Sequence, residues 1–223
     1  MFKKNQAFTM AETLLVIAII GVIAALTLPN LSSNTNNKEV VVKVKKISAN
    51  LNDAYGRSRA KYGTDLATWI RNDTSEADKA TRVGKRILEF MNVEKECGVG
   101  AGCFSASAPS TISGSAFLAS ALSANTDMYK AILADGTSIG FTSNAVYFDV
   151  DGPSKGFNVY GRDLFTLSIG DRIWTNNTDH GASGAGCKTN DTNSNNSCAD
   201  WVLFYDNLDY INCDVNATKT TCK

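Results

Sequence analysis

The hydrophobic pattern divides the chain into three regimes. From Phe8 to Leu28 it is apolar almost without a break, with Glu12 as the single charge and none at all from Thr13 to Leu28. As a helix rising 1.5 Å per residue, this run would span roughly 30 Å, about the hydrocarbon thickness of a bilayer. No Lys or Arg occurs between Asn5 and Asn37, and Lys3 and Lys4 are the nearest positive charges. The pattern therefore predicts a membrane-spanning helix with its N-terminus in the cytoplasm and the rest of the chain outside. Asn30–Asn37 is rich in Asn, Ser and Thr and predicts a loosened patch. Beyond it, Val40, Val44, Ile47, Leu51 and Tyr55 recur at steps of three and four, one apolar stripe of an amphipathic helix that stops at Tyr62-Gly63. Phe8–Tyr62 thus reads as one long, interrupted helix.

The remaining residues, 63–223, read as a head with a core of its own. Ser75-Glu76-Ala77-Asp78 has the spacing of a capping box, and Val83, Ile87 and Met91 follow at four-residue steps, predicting a helix over about 75–95. The Ala-rich stretch from Ser115 to Leu133 suggests another helical piece. After that the period changes to two. Ala131–Leu133 and Thr137–Phe141 flank Asp135-Gly136 as a hairpin, and Ala145–Val150 and Leu164–Ile169 read as further strands. Strands so close in sequence pair antiparallel. Thr175–Ser197 lacks large apolar residues and reads as an exposed loop, with Trp201–Tyr205 returning as an inner strand. The expected class is α+β, an antiparallel sheet packed on the stripe of the long helix.

Charge changes the picture only when it is divided. The 22 basic and 22 acidic residues sum to zero, which excludes a strongly basic nucleic-acid binder, so no nucleic-acid partner is expected. Residues 1–62 nevertheless carry nine basic residues against Glu12, Glu39 and Asp53, a balance of +6, and the head carries the opposite −6. His180 is the only histidine, which excludes zinc chemistry built on two or three histidines. Cys97, Cys103, Cys187, Cys198, Cys213 and Cys222 are even in number and lie on the predicted outer side, which argues for disulfides. Six cysteines allow 15 connectivities, of which neighbour pairing (97–103, 187–198, 213–222) is preferred.

Two motifs suggest chemistry. Gly136-Thr137-Ser138-Ile139-Gly140 matches G-x-S-x-G, but its Ser opens a strand after a hairpin turn, whereas the hydrolase elbow needs a strand–turn–helix. No catalytic residues are assigned. Asp149, Asp151, Asn158 and Asp163 could offer oxygen ligands to Ca²⁺, although their spacing is not that of an EF-hand, and capping of turns is the competing reading. No other cofactor is expected.

Glu12 is the feature that a plain anchor does not explain, because an unpaired charge inside a membrane helix costs at least about 2.5–3.5 kcal/mol. The string Lys3-Lys4-Asn5-Gln6-Ala7-Phe8-Thr9-Met10-Ala11-Glu12-Thr13-Leu14-Leu15-Val16-Ile17 resembles the class III leader of type IV pilins and type II secretion pseudopilins. The resemblance implies that prepilin peptidase cuts between Ala7 and Phe8 and methylates Phe8. It also implies that Glu12, then fifth in the mature chain, pairs with the Phe8 amine of a neighbouring subunit. Ala7 departs from the Gly usual before the cut, and Pro29 stands where many pilins have a helix-disrupting proline. A second segment, Leu133–Gly136 with Phe148–Phe165, resembles a sheet-region pattern of pilin-like proteins, with Asp151 where Asn is common. Cys187–Cys222 resembles their disulfide-bounded C-terminal region. On this resemblance residues 1–7 are a leader, 8–28 a transmembrane and assembly helix, 29–62 an amphipathic stalk and 63–223 a pilin-like head. The partners implied are other pilins or pseudopilins and prepilin peptidase. The implied place is the bacterial inner membrane and then an extracellular or periplasmic filament. The +4 of residues 8–62 beneath the acidic head suggests stalk-to-head pairing between copies. The alternative is an exported binding or enzymatic domain that uses the helix only as a tether.

Overall fold

The computed structural model describes residues 10–115, 122–155, 158–174, 187, 197–216 and 218–222, with the backbone alone at 24–36 and 197. Its contacts divide the chain into two units, Met1–Glu39 and Val40–Lys223. Helix α1 (Met10–Tyr62) supplies residues to both. Its backbone stays helical through Pro29 and Asn30–Asn37, so the expected interruption is not there. A proline removes one backbone donor, and the hydrogen bonds on either side can carry the helix on.

The membrane placement is also corrected. Among the described residues no helix is long and apolar enough to cross a membrane. The described apolar side chains run from Met10 to Ile23, about 20 Å of helix, and a carboxylate lies in the first turn. A bilayer core needs about 30 Å. The single-pass inner-membrane assignment, with a cytoplasmic N-terminus and an outer head, is therefore not upheld.

In the second unit α1 ends where its pattern ends. Gly63 takes φ +99°, and its N–H bonds Arg59 O at 3.0 Å. That left-handed cap position favours glycine. After the short α2 (Leu66–Ile70), helix α3 (Glu76–Leu88) starts at the expected cap, where Asp78 N donates to Ser75 Oγ at 3.0 Å. It ends earlier than expected. Asn92 O accepts from Ala134 N at 2.9 Å, and Val93–Gly98 is drawn into the sheet as β1. The other strands are β2 (Ser110–Thr111), β3 (Tyr129–Leu133), β4 (Ser138–Phe141), β5 (Ala145–Asp149), β6 (Val159–Tyr160), β7 (Leu164–Ile169) and β8 (Ile173–Trp174). Their order is β1-β3-β4-β5-β7-β6-β2, with β8 on β7. Pairing is antiparallel except for β2–β6 and β6–β7. The Asp135-Gly136 hairpin and the strands at 145 and 164 stand where the period-two pattern puts them. The described part of the Ala-rich stretch is turn and then β3, not helix.

Register fixes what each face of the sheet carries, because paired residues share a face and alternate residues along a strand share it too. One face holds the rows Ala131, Ile139, Phe148, Phe165 and Tyr129, Phe141, Val146, Leu167. These join Val44, Ile47, Leu51, Ala54 and Tyr55 of α1 and Val83 and Ile87 of α3 in one core. The other face holds Lys130, Ser138, Gly140, Asp149, Thr166 and Ser168. Ile132, Ala145, Tyr147 and Leu164 share this face, so it is mixed rather than apolar, and Lys130, Ser138, Asp149, Thr166 and Ser168 are all buried in it.

That second face is covered by segments the pattern did not place there. A Cβ on Gly140 would overlap Met128 Sδ and crowd Phe104, so a side chain here would have to displace that of Met128. From β3, Lys130 Nζ reaches across and donates to the carbonyls of Val99 (3.2 Å), Ser123 (3.1 Å) and Asn125. Helix α4 (Ser197–Tyr205) packs on β7 and corrects the strand expected at Trp201–Tyr205. Cys198, Ala199, Trp201 and Val202 are buried while Phe204 is 57% exposed, a helical rather than an alternating rhythm. Along its length β7 already pairs with β5, β6 and β8, so a run of β-forming residues arriving late covers the sheet instead of extending it.

Lys130→Met keeps most of the buried stem and removes the ammonium, leaving three carbonyls without their donor. The expected loss is about 2–5 kcal/mol in denaturant unfolding. A loss below about 0.5 kcal/mol would show that the cover does not depend on this contact.

Candidate assembly surface and the buried polar layer

The first unit presents a single described feature, the N-terminal part of α1. Met10, Leu14, Leu15, Val16, Ile17, Ile19, Ile20, Val22 and Ile23 are all exposed, Met10 by 87% and Leu14 by 67%. They lie on every side of the helix, so no single stripe accounts for them. An apolar surface of this extent marks an interaction site. Glu12 stands in the first turn, where the helix dipole favours a carboxylate. Ala7, Phe8 and the whole 1–7 leader lie outside the described residues, as does the side chain of Pro29.

In the second unit the basic side of α1 meets acids of its own chain. Lys43 Nζ lies 3.4 Å from Asp151 Oδ1 and Lys46 Nζ 2.9 Å from Asp135 Oδ2. Lys45 pairs with Asp206 and Lys61 with Glu89. The Lys61 ammonium and the Tyr62 hydroxyl hold the Glu89 carboxyl below its usual range. The opposite charges of stalk and head are thus matched within one chain, so stalk-to-head pairing between copies is not needed to account for them.

The candidate Ca²⁺ ligands do not converge. Asp149 Oδ1 accepts from Asp151 N at 3.0 Å, Asp151 pairs with Lys43, and Asp163 Oδ1 accepts from Val159 N at 2.6 Å. Asn158 Nδ2 donates to Ser107 O at 3.4 Å. Asp149 and Asp163 shape their own stretches of backbone, as turn chemistry requires, while Asp151 and Asn158 tie to other segments. Among the described residues no group of three or more His, Cys, Asp or Glu could hold a metal ion.

Two buried groups of the polar face remain. Ser138, of the G-x-S-x-G match, is fully buried within β4, directly across from Asp149, rather than at a strand-to-helix elbow. His180 lies outside the described residues. Among the described residues, Ser138 Oγ and Asp149 Oδ2 find no hydrogen-bond partner. Burial, followed by the negative charges of Asp163 and Asp151, pushes the Asp149 carboxyl up to about 7. Burial pushes the Lys130 ammonium down from its ordinary value.

The disulfides are Cys97–Cys103, Cys187–Cys198 and Cys213–Cys222, the neighbour pairing. Cys97 lies in the edge strand β1, and Cys198 lies in α4, which packs on β7. The first ties β1 to the strand-free segment ahead of Phe104, and the second anchors the first turn of α4. The third closes the C-terminal loop, where Cys222 N also donates to Asp209 Oδ2 at 2.9 Å. Closing loops with separations of 6, 11 and 9 residues contributes roughly 2–3 kcal/mol each by constraint of the unfolded chain.

The polar layer was missed because its signal is ambiguous. Thr166 and Ser168 in β7 alternate with Phe165 and Leu167, as they would on a solvent-facing strand. The clue that this side is covered is the placing of five of the six cysteines outside the strands. Comparison with protein-family models, curated proteins and solved structures finds no match.

The sign of the Asp149 effect follows from its raised value. Between about pH 4 and 7 the folded chain keeps a proton that the unfolded chain has lost, so stability falls as pH rises through that window and is flat above it. Asp149→Asn keeps the Oδ1 acceptor and removes the ionisation. The wild type should lose about 2–4 kcal/mol more than Asp149→Asn between pH 4 and 7.5, read from paired denaturation curves. Parallel curves would show that Asp149 does not titrate in this window.

Proposed function

We propose that the chain is a structural subunit of a type IV pilus or a related pseudopilus filament. The observation that carries this reading is the helical run Met10–Ile23, exposed and apolar on every side, with a carboxylate in its first turn. Such a surface is covered when copies of the helix, or those of related subunits, pack together. Burial of apolar area at about 25 cal/mol per Å² supplies the drive. The leader-like string before it and the mostly antiparallel α+β head with its disulfide-closed C-terminal region support the same reading.

In this reading prepilin peptidase cuts between Ala7 and Phe8 and methylates the new amine. Glu12 supplies register rather than bulk affinity. A subunit placed correctly sets the Glu12 carboxylate against a neighbour's Phe8 ammonium, while a misplaced one leaves both charges in an apolar bundle. The head acts as a folded body carried by the helix, and the subunit performs no chemistry of its own.

Mass spectrometry of the mature protein should find a chain starting at N-methylated Phe8. A chain still starting at Met1 would contradict the reading. Glu12→Ala should leave the folded head unchanged and lower the yield of sedimentable filaments at least tenfold, as expected for an unpaired buried ammonium costing several kcal/mol. Normal filament yield would remove the register role from Glu12.

A further inference from the structure

A cleft in the second unit carries a concentration of uncommitted polar groups around an exposed aromatic ring. The β7–β8 hairpin turns through Gly170, Asp171 and Arg172, closed by Gly170 N donating to Arg172 O at 3.1 Å. Its tip faces the junction of α1 and α2. Tyr55 Oη donates to Gly170 O at 2.6 Å, Arg59 Nε donates to Thr64 O at 2.9 Å, and Arg59 Nη1 donates to Asp171 O. One turn of α1 therefore pins both walls. Between them lies a cleft of about 570 Å³ lined by Asp65, Leu66, Gly170, Asp171, Arg172 and Trp174. Its size is that of a small-molecule site.

Elsewhere on this unit Lys43, Lys45, Lys46, Lys61 and Arg82 each hold a carboxylate. Among the described residues, Asp171 and Arg172 form no ion pair, either together or with a third side chain, although they are adjacent and opposite in charge. Asp65 uses Oδ1 to cap α2, accepting from Ala67 N at 2.9 Å, which leaves its second oxygen for a ligand. Trp174 is 39% exposed, with the Arg172 guanidinium 5.8 Å from its ring centre.

We propose that this cleft binds a neutral hexopyranose of a glycan, laid with its C–H face on the Trp174 indole and its hydroxyls held by Asp65, Asp171 and Arg172. A pyranose offers an apolar face and an equatorial rim of hydroxyls that both donate and accept. The cleft offers the matching set, with an aromatic plane, carboxylate acceptors and a guanidinium fork. Asp65 and Asp171 against Arg172 and the wall-pinning Arg59 leave the cleft without net charge, which suits a neutral ligand better than phosphate, sulfate or acidic sugars. Pinned walls limit the ordering cost that a weak ligand must overcome. The site stands apart from the helix–helix packing of the filament reading and does not depend on it.

The test uses the full chain in a detergent whose head group is not a sugar. Methyl glucoside, methyl galactoside and N-acetylglucosamine are titrated against tryptophan fluorescence and indole N–H resonances. Sialic acid and inorganic phosphate serve as anionic comparators. At least one neutral sugar should saturate with a Kd on the order of millimolar. Trp174→Ala should raise that Kd at least tenfold and Asp171→Asn several-fold, both with an unchanged melting temperature. Asp171→Asn keeps the size of the side chain and serves as the decisive variant if Trp174→Ala unfolds. The proposal is overturned by no saturation up to about 50 mM, by preference for sialic acid or phosphate, or by variants that bind as the wild type does. It is also overturned if sugar binds only after residues 175–186 are replaced by a Gly/Ser linker, which would assign the cleft to the chain's own segment.

Discussion

The head is organised by a sheet with one apolar face and one face that mixes apolar residues with buried polar ones. The face bearing Ile139, Phe141, Phe148 and Phe165 is apolar and finds its cover in the stripe of α1 and in α3. Burial of carbon surface is enough to hold those layers together. The face bearing Lys130, Ser138, Asp149 and Thr166 also has apolar contacts through Leu164, Met128 and Phe104, but it cannot be held by them alone, because each polar group it buries gives up water. Its cover has to be fastened by directional and covalent bonds. The Lys130 ammonium supplies three of them to the 99–125 segment, and three disulfides tie down β1, α4 and the C-terminal loop.

This arrangement changes the meaning of the charge asymmetry along the chain. Lys43, Lys45, Lys46 and Lys61 on α1 meet Asp151, Asp206, Asp135 and Glu89 of the same chain. The two halves of opposite sign are complementary because they fold against each other. Such exposed pairs contribute little apiece, but together they bias where the turns of the sheet sit along the helix. What the second unit leaves exposed is mainly polar, whereas the described side chains of α1 from Met10 to Ile23 are apolar apart from Glu12 and Thr13 in the first turn. It is this surface, not the head's charges, that the proposed filament packing would cover.

Local rules read the chain well wherever packing agreed with them. The α1 stripe, its stop at Gly63, the Ser75 cap, the Asp135-Gly136 hairpin and the strands at 145 and 164 all follow from period, capping and turn chemistry. Disagreements arose where tertiary context decided. Trp201–Tyr205 has strand-forming residues but covers a sheet face as a helix, and Val93–Gly98 leaves the helical pattern to pair with β3. The 21-residue apolar run predicted a membrane span, yet among the described residues no helix meets that requirement. The candidate Asp cluster was legible as residues but not as geometry, since spacing does not show that Asp149, Asp151 and Asp163 each turn to a different backbone or side-chain partner. The Trp174 cleft had no sequence signature, because its walls come from the α1–α2 junction and a hairpin about a hundred residues later.

The central claim is that the polar face is held by its disulfides while the apolar face holds itself. Hydrogen exchange with mass spectrometric readout, with and without reductant at neutral pH, tests this directly. On reduction, the segments 99–115, 122–128 and 197–222 should lose protection while α1 from Val40 to Tyr62 and strands β3, β4 and β5 keep theirs. Loss of protection at the same rate across α1, the sheet and the cover would contradict the account and make the head a single cooperative unit.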